Sequence, residues 1–315
     1  MSRAQSLNKL EIQSAADLNR YVLSLQETLK RFEDLPNLVS SHSLLHDLVT
    51  TDNRPLLVRQ ANIYLEHVAV TMKATDVYVM DATGTTLAAS NWRQEQSFVG
   101  KNYSFRPYYQ DAIQGRNGRY FALGSVSKKR GYYFSYPIKV NGEVKGVTVV
   151  KIDLNDIEEE WSDSDQHIIV TDEDGVVFIS TRKDWKFRTL FKMSRKDMSR
   201  IIASKRYGDQ PLREIDIVAQ KAVSDDAQLV TVMEIATHIN PALDGVEPRQ
   251  YLMQSRNLPS YGLSVGIMAS TRDVSLRVYN AVIISSVGSV ALVMLWLFIS
   301  ARRRIKGERE RFERD

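Results

Sequence analysis

The 315-residue chain is long enough for about two domains, carries 42 Lys/Arg against 38 Asp/Glu for a net charge of +4, and contains no cysteine. Disulfides and cysteine-based metal sites or nucleophiles are excluded, and the ordinary charge content argues against a disordered chain. Residues 302–315 alone hold seven Lys/Arg against four Asp/Glu, which leaves a net charge of only +1 on everything before them and no basic field suited to nucleic acid.

In chain order, Leu7, Leu10, Leu18, Tyr21, Leu25, Leu29, Phe32 and Leu35 recur mostly at three- and four-residue intervals before Pro36. The spacing predicts a long amphipathic helix over 4–35. Its stripe can bury against its own domain, pair with a second copy as a coiled coil, or do both in succession. Helices are next expected at 43–49 and 55–73, on either side of the polar turn TTDNRP.

Two repeats then set the architecture. VYVMDATGTTLAAS (Val77 to Ser90) and IIVTDEDGVVFIST (Ile168 to Thr181) both read as strand, Asp-x-x-Gly turn, strand, with Asp81 and Gly84 matching Asp172 and Gly175 at an offset of 91. Such a hairpin opens a PAS-like module, its glycine supplying a positive-φ turn position. Each module also closes on an apolar strand, VTVVKIDL in the first and LSVGIMAS in the second. The expected fold class is α+β: a helical region over 1–74, two tandem PAS-like modules over 75–162 and 163–279, an apolar helix over 280–301 and a charged helix over 302–315.

Within the first module, Ser97 to Trp161 interleaves aromatics, hydroxyls and cations in a way that neither a plain core nor a plain surface requires. Tyr103, Phe105, Arg106, Tyr108 and Tyr109 precede two strands read as joined by the polar turn KKRG, and Asn141-Gly142 turns the chain into a buried strand containing Lys151. The reading is a hairpin sheet under a short helical lid. A planar Arg106 fork, a Lys151 point charge and hydroxyls from Tyr and Ser form a small anion cage if they converge. The alternative is that Arg106 and Lys151 are surface cations or pair with Asp111, Asp153 or Asp156. The second module has Met268 in the approximate place of Lys151 and no counterpart of YSFRPYY, so recognition is expected in the first module only. In the second module Trp185, Phe187, Leu190 and Phe191 are expected to pack the core, with MSRKDMSRIIAS as a lid helix.

Ala281 to Ala301 is an uncharged apolar run of 21 residues followed at once by RRRIK, which predicts a membrane helix with the preceding domain outside the cytoplasm. Because residues 1–40 hold no signal peptide or membrane helix, an upstream membrane helix is expected in the native form. His42 and His46, four apart, are read as helix residues rather than metal ligands. The acids Asp153, Asp156, Glu158, Glu159 and Glu160 are read as a solvated helix start. No phosphate loop, Ser-His-Asp order or HExxH motif is present, so neither catalysis nor a cofactor is expected.

The run SFVGKNYSFRPYYQDAIQGRNGRYFALGSVSKKRGYYFSYPI with VVKIDL resembles the sensor region of DctB-type C4-dicarboxylate sensor histidine kinases, membrane proteins with a periplasmic double-Cache (tandem PAS-like) domain. The resemblance covers essentially the whole chain and is most specific between Val99 and Leu154. It implies that Tyr103, Arg106, Ser125, Ser127 and Lys151 contact the dicarboxylate, with Tyr109, Tyr120, Gly131 and Tyr133 packed around them. It further implies residues 1–279 in the periplasm and 302–315 in the cytoplasm of a bacterium, a homodimer, and a response regulator reached only through kinase domains that these residues lack. Rival readings are an amino-acid or amine sensor, for which Asp111 or Asp153 would have to face inward, an input domain of a chemoreceptor or cyclase, and a membrane-anchored dimerisation module without ligand.

Overall fold

The computed structural model describes residues 3–52, 55–162, 166–236 and 245–272, together with Met294 and Trp296. The apolar run 281–301, the charged segment after it and its expected membrane crossing lie outside the described residues apart from those two; among the described residues no helix is long and apolar enough to cross a membrane.

The heptad-like stripe near the N-terminus forms helix α1 (Arg3–Glu33), and Leu18, Val22, Leu25, Leu29 and Phe32 are all buried within the chain's own core. Pro36 does not simply stop it. It starts a second short helix, α2 (Leu35–Ser40), because proline's missing N–H is tolerated in a first turn. Helices α3 (Ser43–Thr50) and α4 (Pro55–Met72) follow close to the expected bounds. The His42 ring accepts from the Leu44 N–H at the start of α3, and His46 Nε2 lies 2.9 Å from the Ser40 carbonyl. Both rings therefore serve local backbone.

Strands β1 (Asp76–Asp81), β2 (Thr86–Ala89), β3 (Gly118–Leu123), β4 (Arg130–Val140) and β5 (Glu143–Asp153) form an antiparallel sheet in the order β2-β1-β5-β4-β3. Helix α5 (Pro107–Ile113) packs on one face, and α2 to α4 reach the sheet from the other side through the main apolar core. Helix α6 (Asn155–Trp161) then leads to β6 (His167–Asp172) and β7 (Val177–Ser180). After the two-residue β8 (Arg188–Thr189), helix α7 (Arg195–Ser204) and β9 (Arg213–Glu214), the second sheet is completed by β10 (Ile217–Ala222), β11 (Ala227–Ala236), β12 (Gly245–Leu258) and β13 (Leu263–Ser270). Its order is β10-β11-β12-β13-β6-β7, with the closing strand again beside the opening one.

The repeat noted in sequence is a repeat in hydrogen bonding. Asp81 Oδ1 accepts from the N–H of Thr83 and Thr85, and Asp172 Oδ1 from Asp174 and Val176, while Gly84 and Gly175 take φ of +84° and +74°. A side chain at either glycine would be strained.

Three expectations need correction. The chain leaves the first sheet at Leu123, so the β3–β4 turn is Gly124–Lys129 rather than KKRG, and Arg130 is buried inside β4. The reason is Glu158, which is buried instead of solvated: it accepts from Arg130 Nη2 and Lys186 Nζ at 2.5 Å each and from the Ser180 N–H at 2.8 Å, while Arg130 Nη1 also reaches the Phe178 carbonyl at 2.7 Å. Phe191, expected in the second core, is 55% exposed, whereas Trp185 is buried. The Glu158 knot ties β4, α6 and β7 together. With the Phe121–Phe178 ring contact at 4.5 Å and the Tyr132 hydroxyl on the Tyr261 carbonyl at 3.0 Å, it fixes one sheet against the other.

Glu158→Ala leaves the Arg130 guanidinium buried without its acid, so stability in denaturant titration at neutral pH falls by about 3–5 kcal/mol. Burial alone would raise the Glu158 carboxyl, but hydrogen bonds from Arg130, Lys186 and the Ser180 N–H hold it below its ordinary value. A carboxyl lowered on folding stabilises above its unfolded pKa and ceases to as pH falls through the folded one. The difference between the two proteins therefore shrinks below about pH 4.

Candidate ligand-binding site

On the α5 face of the first sheet, the Gly124–Lys129 turn and the segment leading into α5 close over a cavity of about 10 Å³, room for roughly one water. Tyr103, Arg106, Ser125 and Ser127 line it together with Tyr133, and Tyr78, Phe98 and Tyr108 complete its walls. Four of the five expected ligand contacts thus converge on one small space.

Arg106 stands in extended conformation immediately before α5, where Pro107 disfavours helical geometry for its neighbour. That leaves Arg106 only 3% exposed, with Nη2 donating to the Leu123 carbonyl at 3.1 Å and Nη1 to the Lys205 carbonyl at 3.2 Å. Three cationic side chains are buried among the described residues, and their partners differ. Arg130 has Glu158 and Lys151 has Asp76, but Arg106 has no carboxylate.

Beside it, the Tyr103 hydroxyl is buried without any hydrogen-bond partner. Burial also holds this phenol well above its ordinary pKa, so it is a donor at any physiological pH. Two neighbouring phenols are already engaged. Tyr78 and Tyr108 share a 2.7 Å hydrogen bond, burial pushes the Tyr108 phenol up to about 12, and Tyr108 stacks on Tyr133 with centroids 5.2 Å apart.

Lys151 lies just behind the wall. Its ammonium donates to Ser127 Oγ at 3.1 Å and to Asp76 at 3.3 Å, and it is 1% exposed. The register of β5 against β1 and β4 sets Lys151 opposite Asp76 and Tyr133. Gly131 leaves room for it, because a Cβ there would stand 2.9 Å from Lys151 Cε. Burial raises the Asp76 carboxyl above its ordinary pKa despite the attraction of Lys151.

Two of the surrounding residues belong elsewhere. Tyr109 donates to the Ala82 carbonyl, away from the cavity, and the Tyr120 hydroxyl accepts from Arg206 Nε of the second module at 3.3 Å. None of Asp111, Asp153 and Asp156 lines the cavity. Asp111 pairs with Arg116 at 2.6 Å, Asp153 accepts from the Asn155 N–H, and Asp156 is exposed. The acid that sequence reasoning missed is Asp76, whose only signal is its strand position opposite Lys151.

A larger cavity of about 430 Å³ lies on the second sheet, with Ile169, Thr171, Ser255, Ser264 and Phe191 among its walls. Asp172 and Glu173 line it and no Lys or Arg does, so its chemistry is wrong for an anion. In the register of that sheet Met268 stands opposite His167, as Lys151 stands opposite Asp76 in the first.

The profile of the Cache domain family matches residues 2–278. This chain belongs to the Cache domain family. The C4-dicarboxylate transport sensor protein DctB of Pseudomonas aeruginosa is 33% identical over 299 residues, covering 94% of this chain and 44% of that protein. Its namesake from Rhizobium meliloti is 32% identical over 210 residues, covering 67% and 34%. The crystal structure of the V. cholerae histidine kinase DctB sensor domain matches with a TM-score of 0.74 at 30% identity, covering 84% of this chain and 98% of that one. The Cache region is thus of DctB type, and the chain spans less than half the length of the two curated relatives.

Tyr103→Phe removes a buried hydroxyl that has no partner in the protein. Thermal unfolding of the variant is expected to be unchanged or raised, by up to about 1 kcal/mol in stability, where loss of a satisfied hydroxyl would lower it.

Proposed function

We propose that this Cache region is the extracytoplasmic input of a two-component sensor and binds C4-dicarboxylates such as succinate, fumarate or malate in its first module. The observation that carries the reading is the Arg106 guanidinium, buried in the cavity wall beside the unpartnered Tyr103 hydroxyl and lacking any acid. A planar fork with a phenol donor suits one carboxylate, and Ser125, Ser127 and Lys151 suit the other. The names of the DctB relatives support the same chemistry.

The cavity of about 10 Å³ is far below the roughly 300–1,000 Å³ of ordinary ligand pockets, so binding moves the Gly124–Lys129 turn. Arg106 then exchanges a carbonyl for the ligand carboxylate. Because one of those carbonyls is at Lys205, the exchange alters how the second module docks on the first. A bias of a few kcal/mol between two packings is enough for signalling. In this arrangement residues 1–279 are periplasmic, 281–301 cross the inner membrane, and 302–315 lead toward kinase domains that address a response regulator.

A second reading, an α-amino acid or amine sensor, gains from Asp76, which is a buried acid at the site. It loses because Lys151 already holds that acid.

Calorimetry separates the two. The chain in detergent should bind succinate or fumarate and bind butyrate far more weakly, and Arg106→Ala should cost about 2–5 kcal/mol of binding energy without unfolding. Binding of aspartate with no binding of succinate would favour the second reading, and unchanged affinity in the variant would remove Arg106 from the site.

Signalling of this kind works within a homodimer. Leu18 and Leu25 are buried within the chain's own core, whereas Leu56, Ile63 and Val70 recur every seven residues on the exposed face of α4. That stripe is the seam we assign to the second copy. A cysteine at Ile63 should crosslink symmetrically in this cysteine-free chain and one at Leu25 should not.

A further inference from the structure

We propose that Asp76 is the specificity-determining and proton-accepting carboxyl of the first-module site, so that a dicarboxylate dianion binds together with one proton. The inference rests on the dicarboxylate reading and concerns how that site balances charge.

The site contains two buried cations, Arg106 and Lys151, and one buried acid, Asp76, at 3.3 Å from the Lys151 ammonium. Before ligand arrives the three groups sum to one positive charge, and Lys151 is spent on Asp76. A dianion entering this space would leave one uncompensated negative charge in a region from which water is largely excluded, an arrangement that proteins avoid by shifting protonation. Taking one proton from solvent onto Asp76 restores neutrality: two cations face the two ligand carboxylates, and Lys151 is released to serve one of them. No bond other than that O–H forms.

No other charged or titratable group facing Asp76 can take that proton. From β5, Lys151 is the existing partner, and Asp153 is engaged with the Asn155 N–H and adds negative charge. From the β3–β4 turn, Lys129 is exposed and its attraction is weak beside that of Lys151. From the segment before α5, Tyr103 is a phenol that burial keeps protonated, and from β4 Tyr133 is the same. Lys205 of the second module is exposed and sits over the Phe105 ring. Asp76 is the group already pushed toward protonation by burial, and the ligand's charge pushes the same way. This makes the site discriminate by charge. A third carboxylate meets no remaining cation, and a monocarboxylate needs no proton.

The test is titration calorimetry of the whole chain in detergent with fumarate, whose carboxyls are more acidic than those of succinate, so that the ligand is a dianion throughout. Measurements at about pH 7.5 and about pH 6, each in two buffers of different ionisation enthalpy, read the protons taken up on binding. For the wild type we expect net uptake approaching one proton near the lower pH, and an affinity that rises by about three- to tenfold per pH unit on acidification. Asp76→Asn, which keeps the shape and loses the titration, should bind without proton uptake and with a flat pH profile. Fumarate binding with no proton uptake in the wild type overturns the proposal and leaves the dicarboxylate reading intact, as does uptake that persists in Asp76→Asn. If the variant does not fold, the wild-type uptake decides alone. Absence of fumarate binding at every pH would sink the dicarboxylate reading and this inference together.

Discussion

A guanidinium taken out of water must be matched by acceptors, and in a dry site the match is ordinarily a carboxylate. Arg130 and Lys151 obey that rule, whereas Arg106 is met by two neutral carbonyls, one on β3 and one at the end of α7. Much of the surrounding fold positions these three groups. Pro107 keeps Arg106 extended, the end of β3 at Leu123 turns one carbonyl toward it, and the Arg206 carbonyl accepting from the Leu123 N–H at 2.8 Å holds the second module against the first. Neutral acceptors satisfy the donors while leaving the charge uncancelled. An anion can therefore replace them at a gain, which a carboxylate already in place would prevent.

Legibility in the sequence followed the range of the interaction. Helices α1, α3 and α4, both Asp-x-x-Gly hairpins and the Asn141-Gly142 turn rest on local periodicity and local dihedral demands, and all stand where the pattern put them. The convergence of Tyr103, Arg106, Ser125 and Ser127 was legible through the family resemblance, because a short stretch supplies all four. Pairings between distant segments were not. Arg130 reads as part of a turn because nothing nearby announces that Glu158, 28 residues on, waits in the interior for it. Asp76 sits just before the apolar run that opens the first hairpin, and only the register against β5, 75 residues away, makes it a partner for Lys151. Tyr109 and Tyr120 share composition with the site residues, yet their hydroxyls point to a backbone carbonyl and to the module interface. The stripe on α1 was equally compatible with a partner helix or with its own core, and the stripe alone contains no information that separates them.

The two sheets show what a shared topology leaves free. Both set the closing strand beside the opening one, with the same hairpin offset and equivalent cross-strand pairs. At the position of the Asp76–Lys151 pair the second sheet has His167 and Met268, and Trp185 and Tyr251 pack there against the His167 ring. Burial lowers the His167 pKa, which favours the neutral ring. One sheet uses this position for charge and the other for apolar packing. The scaffold therefore sets the register, and the side chains at two positions decide whether an ion pair or an apolar cluster occupies it.

The carbonyl that Arg106 holds on the second module belongs to Lys205, the left-handed residue that ends α7. Carbonyls at a helix C-terminus carry the negative end of the helix dipole, so this acceptor is strongest when α7 is fully wound. If Arg106 binds a ligand carboxylate as proposed, winding of the helix and capture of that ligand compete for a single guanidinium. Linkage between two such equilibria runs in both directions with equal magnitude. On the proposed reading, whatever frays the last turn of α7, whether heat, a glycine or a change in what lies beyond it, frees Arg106 and tightens the grip of the first-module pocket.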